Sequence, residues 1–136
     1  MATRHQAREA VVGLLYAYDL GNEEIKKFAE EILEDKKIRN KQREFALNLF
    51  KGVIDNLDKI DEEIKKHLQS WDMERLGHIE KAILRLGTYE LLFSDLDRAV
   101  AINEAVELAK ELGGDQAPKF INGVLDAIAK DKEREV

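Results

Sequence analysis

Apolar residues recur at helical spacing along most of the chain. In the first stretch they lie three and four positions apart, on one face of a helix that Thr3 is placed to cap and Gly21 to end. The same spacing predicts a second helix opened by Asn22, a third from Ala46 to Leu57, and a short continuation capped by Asp61. The first half of the chain is therefore predicted to be helical throughout.

The periodic pattern stops at the stretch QSWDME, residues 69–74, and resumes at Leu76. From there to Phe93 the apolar positions spread beyond one face, which predicts a central helix packed on several sides. A further stripe ends at Gly113 and Gly114, where a glycine readily takes the left-handed conformation. The last helix is predicted to start with Asp115 as its cap and Pro118 in its first turn, so the fold class is all-α.

The break near residue 70 also predicts two helical subdomains, about residues 1–69 and 70–136, within one domain. Four glycines lie inside predicted helices, where each costs about 1 kcal/mol relative to alanine. We interpret them as points where helices approach one another closely. They are Gly13, Gly52, Gly87 and Gly123.

Composition excludes several kinds of chemistry. The 136 residues include no Cys, and the three His are not spaced as a helical ligand pair. Neither HExxH nor a glycine-rich phosphate loop occurs, so we expect no enzyme, no cofactor and no metal. No apolar run approaches the roughly 20 residues that cross a bilayer, and the N-terminus lacks a secretory signal, which predicts a cytoplasmic protein.

The net charge of −6, from 22 basic and 28 acidic residues, argues at first against a nucleic-acid partner. The charge is unevenly distributed, however. Residues 36–51 carry six Lys or Arg against Glu44 alone, and Arg4 and Arg8 lie four apart, on the same side of the first helix. Any RNA site is therefore expected to be a local basic face, although a solvated charged surface gives the same pattern.

Three blocks of sequence carry a family resemblance. They are TRHQAREAVVGLLYAYDL near the start, IEKAILRLGTYEL in the middle, and VAINEAVELAKELGGDQAPKFINGVLD towards the end. In their order and spacing they resemble the bacterial NusB family over essentially the whole chain. The resemblance implies an all-helical bundle of about seven helices in two packed three-helix subdomains.

Members of that family are transcription antitermination factors without catalytic activity. The resemblance implies that this chain binds single-stranded boxA RNA as a heterodimer with the ribosomal protein NusE. The complex would join other Nus factors on RNA polymerase, notably at ribosomal RNA operons. Two other interpretations stay open: a helical adaptor that binds only protein, and a detached RNA-binding domain of an RNA methyltransferase. Self-association of the free chain is also possible.

Carried over to this sequence, the resemblance places one RNA-binding group on the first helix, at Arg4, His5 and Arg8. The second group lies at the start of the last helix, where free backbone N–H groups favour phosphate. It comprises Asp115, Gln116, Lys119 and Phe120. Phe120 is suited to stacking on a base, but it fits equally well as a core residue.

For the protein partner, the resemblance points to Tyr16 and Glu80. Tyr16 continues a helical row through Arg4, Arg8 and Val12, yet it also fits the core. Glu80 has an alternative role in a surface ion pair with Lys81 or Arg85. Glu104 stays outside the predicted site, because a carboxylate within a helix often caps or pairs locally.

Overall fold

The computed structural model describes residues 1–68 and 73–134, and within them it contains seven α-helices, a short 3-10 turn at Met73–Arg75 and no strand. The predicted all-α class is confirmed. The helices are α1 Arg4–Asp19, α2 Ile25–Asp35, α3 Asn40–Asp55, α4 Leu57–Lys65, α5 His78–Phe93, α6 Arg98–Leu112 and α7 Ala117–Arg134.

One predicted helix start is confirmed in atomic detail. The backbone N–H of Gln6 donates to Thr3 Oγ1 at 3.0 Å, and the backbone N–H of Thr3 donates to Gln6 Oε1 at 2.9 Å. This reciprocal capping box fixes the first turn of α1. The last helix begins at Ala117, two residues after the predicted cap Asp115, but Pro118 lies in its first turn as predicted, where its missing N–H leaves no helical hydrogen bond unmade.

Two other predicted boundaries were wrong, and one predicted backbone conformation was not found. The second helix begins at Ile25, and Asn22 lies in the turn before it. Asp61 lies inside α4 and receives hydrogen bonds from Arg85 instead of capping a helix. Gly113 ends α6 at the predicted place, but its φ is −96°, and the one glycine with positive φ among the described residues is Gly21, at +100°. Local sequence identifies such turns but not which residue adopts the left-handed conformation.

The central helix of the bundle is α5, which packs against α1, α3, α4, α6 and α7. Its buried residues extend round most of its circumference, as the spread of apolar positions predicted. The buried side chains of all seven helices form one continuous core. The predicted subdomain boundary falls on residues 69–72, outside the described residues, so the division into two subdomains stays a prediction.

The four helical glycines divide into two kinds. A Cβ on Gly52 would lie 2.3 Å from the ring of Tyr89, and one on Gly87 would lie 2.8 Å from Leu125, so these two glycines do mark close helix contacts. A Cβ on Gly13 or Gly123 would meet no atom within 4 Å. For those two positions the interpretation as intramolecular packing was wrong, and the fold itself does not require glycine there.

Candidate RNA and partner interfaces

Arg8 lies in the interior, at 5% exposure, although it was predicted to contact RNA. Its Nε donates to Glu90 Oε1 at 2.8 Å and its Nη2 donates to Glu90 Oε2 at 2.9 Å, which is the bidentate geometry of a strong arginine–carboxylate pair. Burial opposes the charge of Arg8, but the hydrogen bonds to Glu90 outweigh it and raise the pKa of the guanidinium. The pair fixes α1 to α5.

Arg4 remains exposed one turn earlier, and an aromatic ring links it to Arg8. The guanidinium carbon of Arg4 lies 4.1 Å from the centre of the Phe45 ring, and that of Arg8 lies 5.0 Å from the same centre. Both distances are within the range of a cation–π contact. Phe45 belongs to α3, so the basic segment 36–51 and the start of α1 meet at this ring.

His5 connects the start of α1 to α6. Its Nδ1 lies 2.9 Å from Glu104 Oε2, and its Nε2 lies 2.9 Å from Glu111 Oε1. The hydrogen bond with Glu104, followed by that with Glu111, raises the pKa of His5. Only the protonated imidazolium donates through both nitrogens, so the charged form suits this geometry. Glu104 also lies 3.8 Å from Arg8, so its ion-pair partners are on α1 and not on its own helix.

The His5–Glu111 link brings the second predicted RNA-binding group close to the first. Glu111 is near the end of α6, and the turn from α6 to α7 follows directly after it. Asp115, Gln116 and Lys119 are exposed there. Phe120 is half-buried and packs against the core, which supports its core role over a freely presented ring.

Tyr16 is 36% exposed and lies outside the apolar core, so its interpretation as core filler is not supported. Its ring meets that of His78 edge to face, with 6.0 Å between the ring centres. The row through Arg4, Arg8, Val12 and Tyr16 is not one surface, because its two middle members are buried. Only the two ends of the row are available to partners.

A cluster of charged side chains surrounds the end of α1 near Tyr16. Asp19 pairs with His78, with Lys81 at 3.3 Å and with Arg85 at 3.1 Å. Arg85 also donates twice to Asp61, at 2.9 and 2.8 Å. Burial opposes ionisation of Asp19, but the hydrogen bond with His78 and the charges of Arg85 and Lys81 lower its pKa. The end of α1 is thereby tied to α4 and α5.

Glu80 does not form the predicted pair with Lys81 or Arg85, since both of those cations bind Asp19. Its carboxylate instead folds back over the start of α5, where a Cβ on Gly77 would lie 2.3 Å from its Oε2. A carboxylate in the first turn of a helix is favoured by the unpaired N–H groups there. Glu80 is half-buried in that position.

His5, Glu9 and Glu111 bring possible metal ligands within 4.8 Å of one another. Both His5 nitrogens are already hydrogen-bonded, to Glu104 and Glu111, so we assign no metal to the cluster. Sequence reasoning missed two residues that organise the site, Phe45 and Glu90. A signal existed only for Phe45, as an aromatic residue within the most basic segment. Glu90 lies 82 positions from Arg8, and nothing local links them.

The fold and this site define an all-helical domain with an exposed basic end on α1 and an exposed tyrosine about three turns further along. Comparison with known proteins identifies the family to which this domain belongs. The model of the NusB family matches residues 5–130. A curated relative from a Nitratiruptor species, named Transcription antitermination protein NusB, is 81% identical over 131 residues, or 96% of this chain and 94% of that protein. The chain belongs to the NusB family.

Solved structures agree with this assignment. A crystal form of T. maritima NusB is 37% identical, with a TM-score of 0.87 and coverage of 99% of both chains. A crystal structure of the antitermination factors NusB and NusE in complex with dsRNA has a chain that is also 37% identical, with a TM-score of 0.84. It covers 94% of this chain and 96% of that chain. The predicted NusB-like fold is thus confirmed.

Proposed function

We propose that this protein is an RNA-binding transcription antitermination factor that recognises boxA RNA as a heterodimer with NusE. The observation that carries the proposal is the match to the NusB family from residue 5 to residue 130. The relative at 81% identity is named as an antitermination protein, and the complex at 37% identity joins NusB, NusE and RNA. The complex would act on RNA polymerase in the cytoplasm, notably at ribosomal RNA operons, without catalysing a reaction.

The RNA-binding face in this proposal combines the start of α1 with the start of α7. Arg4 and Lys119 are exposed cations on its two sides, and the His5–Glu111 link ties α1 to the end of α6, shortly before the turn into α7. Asp115 and Gln116 are exposed in the turn between α6 and α7, beside the start of α7.

Two further predicted side chains, Arg8 and Phe120, support this face through their positions. Arg8 is saturated by Glu90, so it supports the face by holding α1 and the Phe45 ring in place. Phe120 supports it through its packing on the core.

No helix among residues 1–68 and 73–134 has the length and hydropathy of a membrane span.

The test uses the purified complex with NusE and fluorescence anisotropy of labelled RNA. A boxA strand should bind more tightly than a scrambled strand and than a boxA duplex. Arg4→Ala and Lys119→Ala should each weaken boxA binding about fivefold or more, in line with the loss of one charged contact of roughly 1 kcal/mol. Lys65→Ala, an exposed lysine on α4, is the matched control.

Equal affinity for boxA and scrambled RNA would show that the chain has no sequence specificity of its own. Formation of the NusE complex without any RNA binding would instead favour the adaptor interpretation. The scrambled strand and the NusE binding assay therefore separate the two candidate functions.

The partner surface in this proposal lies at Tyr16, beside the His78 ring and near the start of α5, where Glu80 folds over Gly77. Tyr16→Ala should weaken the NusE heterodimer by about 2 kcal/mol, because exposed tyrosines at interface centres contribute energy of that order. The melting temperature should change little, since the ring is 36% exposed. Phe28→Ala, a 45% exposed aromatic on α2, is the control. A loss of stability without a loss of NusE affinity would contradict the assignment.

A further inference from the structure

An open groove of about 850 Å³ runs along the exposed side of α1. Gln6, Glu9 and Gly13 of α1 line its floor, and the turn between α2 and α3, residues 36–40, forms one wall. Gly13 leaves the floor open, because a Cβ there would meet no atom within 4 Å. The groove begins beside Gln6, which follows the exposed Arg4 and the half-buried His5 in the chain, so it continues from the proposed RNA face.

The wall of this groove is basic. Lys36, Lys37 and Arg39 line it, against Glu9 as the one acidic lining residue. Arg39 is bound to Glu34 at 3.0 Å. Lys36 and Lys37 are exposed, and no carboxylate of the described residues lies within ion-pair distance of either. Two positive charges therefore face the groove without a counter-charge from the rest of the described chain.

The backbone at Lys37 favours glycine, not lysine. Its φ is 62°, in the left-handed region. The N–H of Ile38 donates to the carbonyl of Leu33 and the N–H of Lys37 to that of Glu34, both at 2.9 Å, which is the Schellman pattern at the end of α2. A side chain is disfavoured there by about 1 kcal/mol. Lys37 forms no ion pair with the described residues that would offset this cost, so its charge is available to bind a ligand.

The groove also holds a buried acceptor. Gln42 lines it, and among the described residues Gln42 Oε1 has no hydrogen-bond donor. Gln6 and Asn40 add further amide groups to the lining. Amide groups can exchange hydrogen bonds with base edges and ribose hydroxyls, whereas free lysines attract phosphates. Cations and amides together are typical of a nucleic-acid surface, since charged residues are depleted at the centres of protein interfaces.

We propose that this groove binds the RNA strand that flanks the boxA core, with Lys36 and Lys37 on its phosphates and Gln42 on a ribose or base donor. The inference rests on the proposed function, because it lengthens the RNA path that starts at Arg4. It makes a separate prediction, however, because the groove should add affinity only for RNA that is longer than the boxA core. The net charge of −6 makes such a local basic wall the means by which flanking RNA is held.

The test compares the boxA core with the same core extended on its 5′ side or its 3′ side, using the complex with NusE. In the wild type, one extended RNA should bind about tenfold more tightly than the core. Lys36→Gln with Lys37→Gln should abolish that advantage and leave core binding unchanged. The slope of log K against log salt for the extended RNA should become shallower by about 1.4, or roughly 0.7 for each lost phosphate contact.

Lys27→Gln with Lys65→Gln is the matched control, because both lysines are exposed and the net charge changes by the same amount. Neither lines the groove, so this variant should keep the advantage of the extended RNA. A second variant removes the risk of misfolding. Lys37→Gly relieves the left-handed lysine and should raise the melting temperature while it weakens binding of the extended RNA.

Equal binding of core and extended RNA in the wild type would overturn the proposal. So would an undiminished advantage in the Lys36/Lys37 variant, or a loss shared equally by the control. Weaker NusE binding with unchanged RNA binding would assign the groove to the protein partner instead and equally overturn it. A wild type that fails to prefer boxA over a scrambled core would contradict the proposed function itself, which is a different result.

Discussion

The two ends of α1 are both anchored by buried arginine–carboxylate pairs, but they differ in charge balance. At the start, Arg8 binds Glu90 of α5, and Glu104 and Glu111 surround His5. At the far end, Arg85 of α5 binds Asp19 of α1 and Asp61 of α4. His78 and Lys81 also pair with Asp19.

The far end is therefore neutral within itself, whereas the start carries excess carboxylate. This difference bears on function. A neutral, internally paired end suits a surface that meets a folded protein, since few charges must be stripped of water. An end with excess acid repels phosphate unless His5 is protonated and Arg4 stays exposed. The start of α1 is thus the end whose properties depend on pH and salt, and the following experiments test that contrast.

The largest expected effect comes from Arg8→Ala. It leaves Glu90 buried without its cation and should lower the free energy of unfolding by about 3 to 5 kcal/mol. Arg85→Ala should cost less, because Asp19 keeps His78 and Lys81. Urea denaturation measures both.

Arg4→Ala removes the same charge from an exposed position and is the control, with an expected change under about 1 kcal/mol. The double variant Arg8→Met with Glu90→Gln should recover much of the lost stability, since no unpaired charge stays buried. Equal stability of the Arg8→Ala and Arg4→Ala variants would contradict the role of Arg8 as an anchor.

Smaller effects, of opposite sign, are expected at two helical glycines, Gly13 of α1 and Gly87 of α5. Gly13→Ala should raise the free energy of unfolding by up to about 1 kcal/mol, because alanine favours helix and its Cβ meets no atom within 4 Å. Gly87→Ala is the contrasting variant. Its Cβ would lie 2.8 Å from Leu125, so it should destabilise the protein despite the same gain in helix propensity. Thermal melts of the two variants should shift in opposite directions.

The smallest effect concerns His5. Its pKa is raised in the folded protein, so its contribution to stability is complete below the unfolded value of about 6.5 and is lost as pH rises through the folded value. The melting temperature of the wild type should therefore exceed that of His5→Gln at about pH 6, and the difference should shrink by about pH 9.

His67→Gln is the control for His5. His67 lies beside Asp131, away from α1, and reports the general effect of losing a histidine. A wild-type advantage that stays constant across this pH range would contradict the protonated bridge. The expected size is under about 1 kcal/mol, because the His5 ring is partly exposed to solvent.

Local sequence was sufficient for most of the fold because helices are local structures. The cap at Thr3, the central position of α5 and the place of Pro118 follow from residues within a few positions of each feature. Candidate contacts at the two ends of α1 came from family resemblance, which transfers positions but not orientations. Arg8 shows the limit, since the residue chosen for its charge is one of the most buried.

What the sequence alone determined is the all-helical class, the helix order and the family, since spacing and motif order are properties of the chain itself. Only the tertiary structure decided which charges are neutralised. It pairs Arg8 with Glu90 and His5 with Glu111, across 82 and 106 positions, and leaves Lys36 and Lys37 free to face a groove. The physical reason is that an ion pair depends on the distance between two charges in space. Neither the net charge of the chain nor the charge of a segment gives that distance.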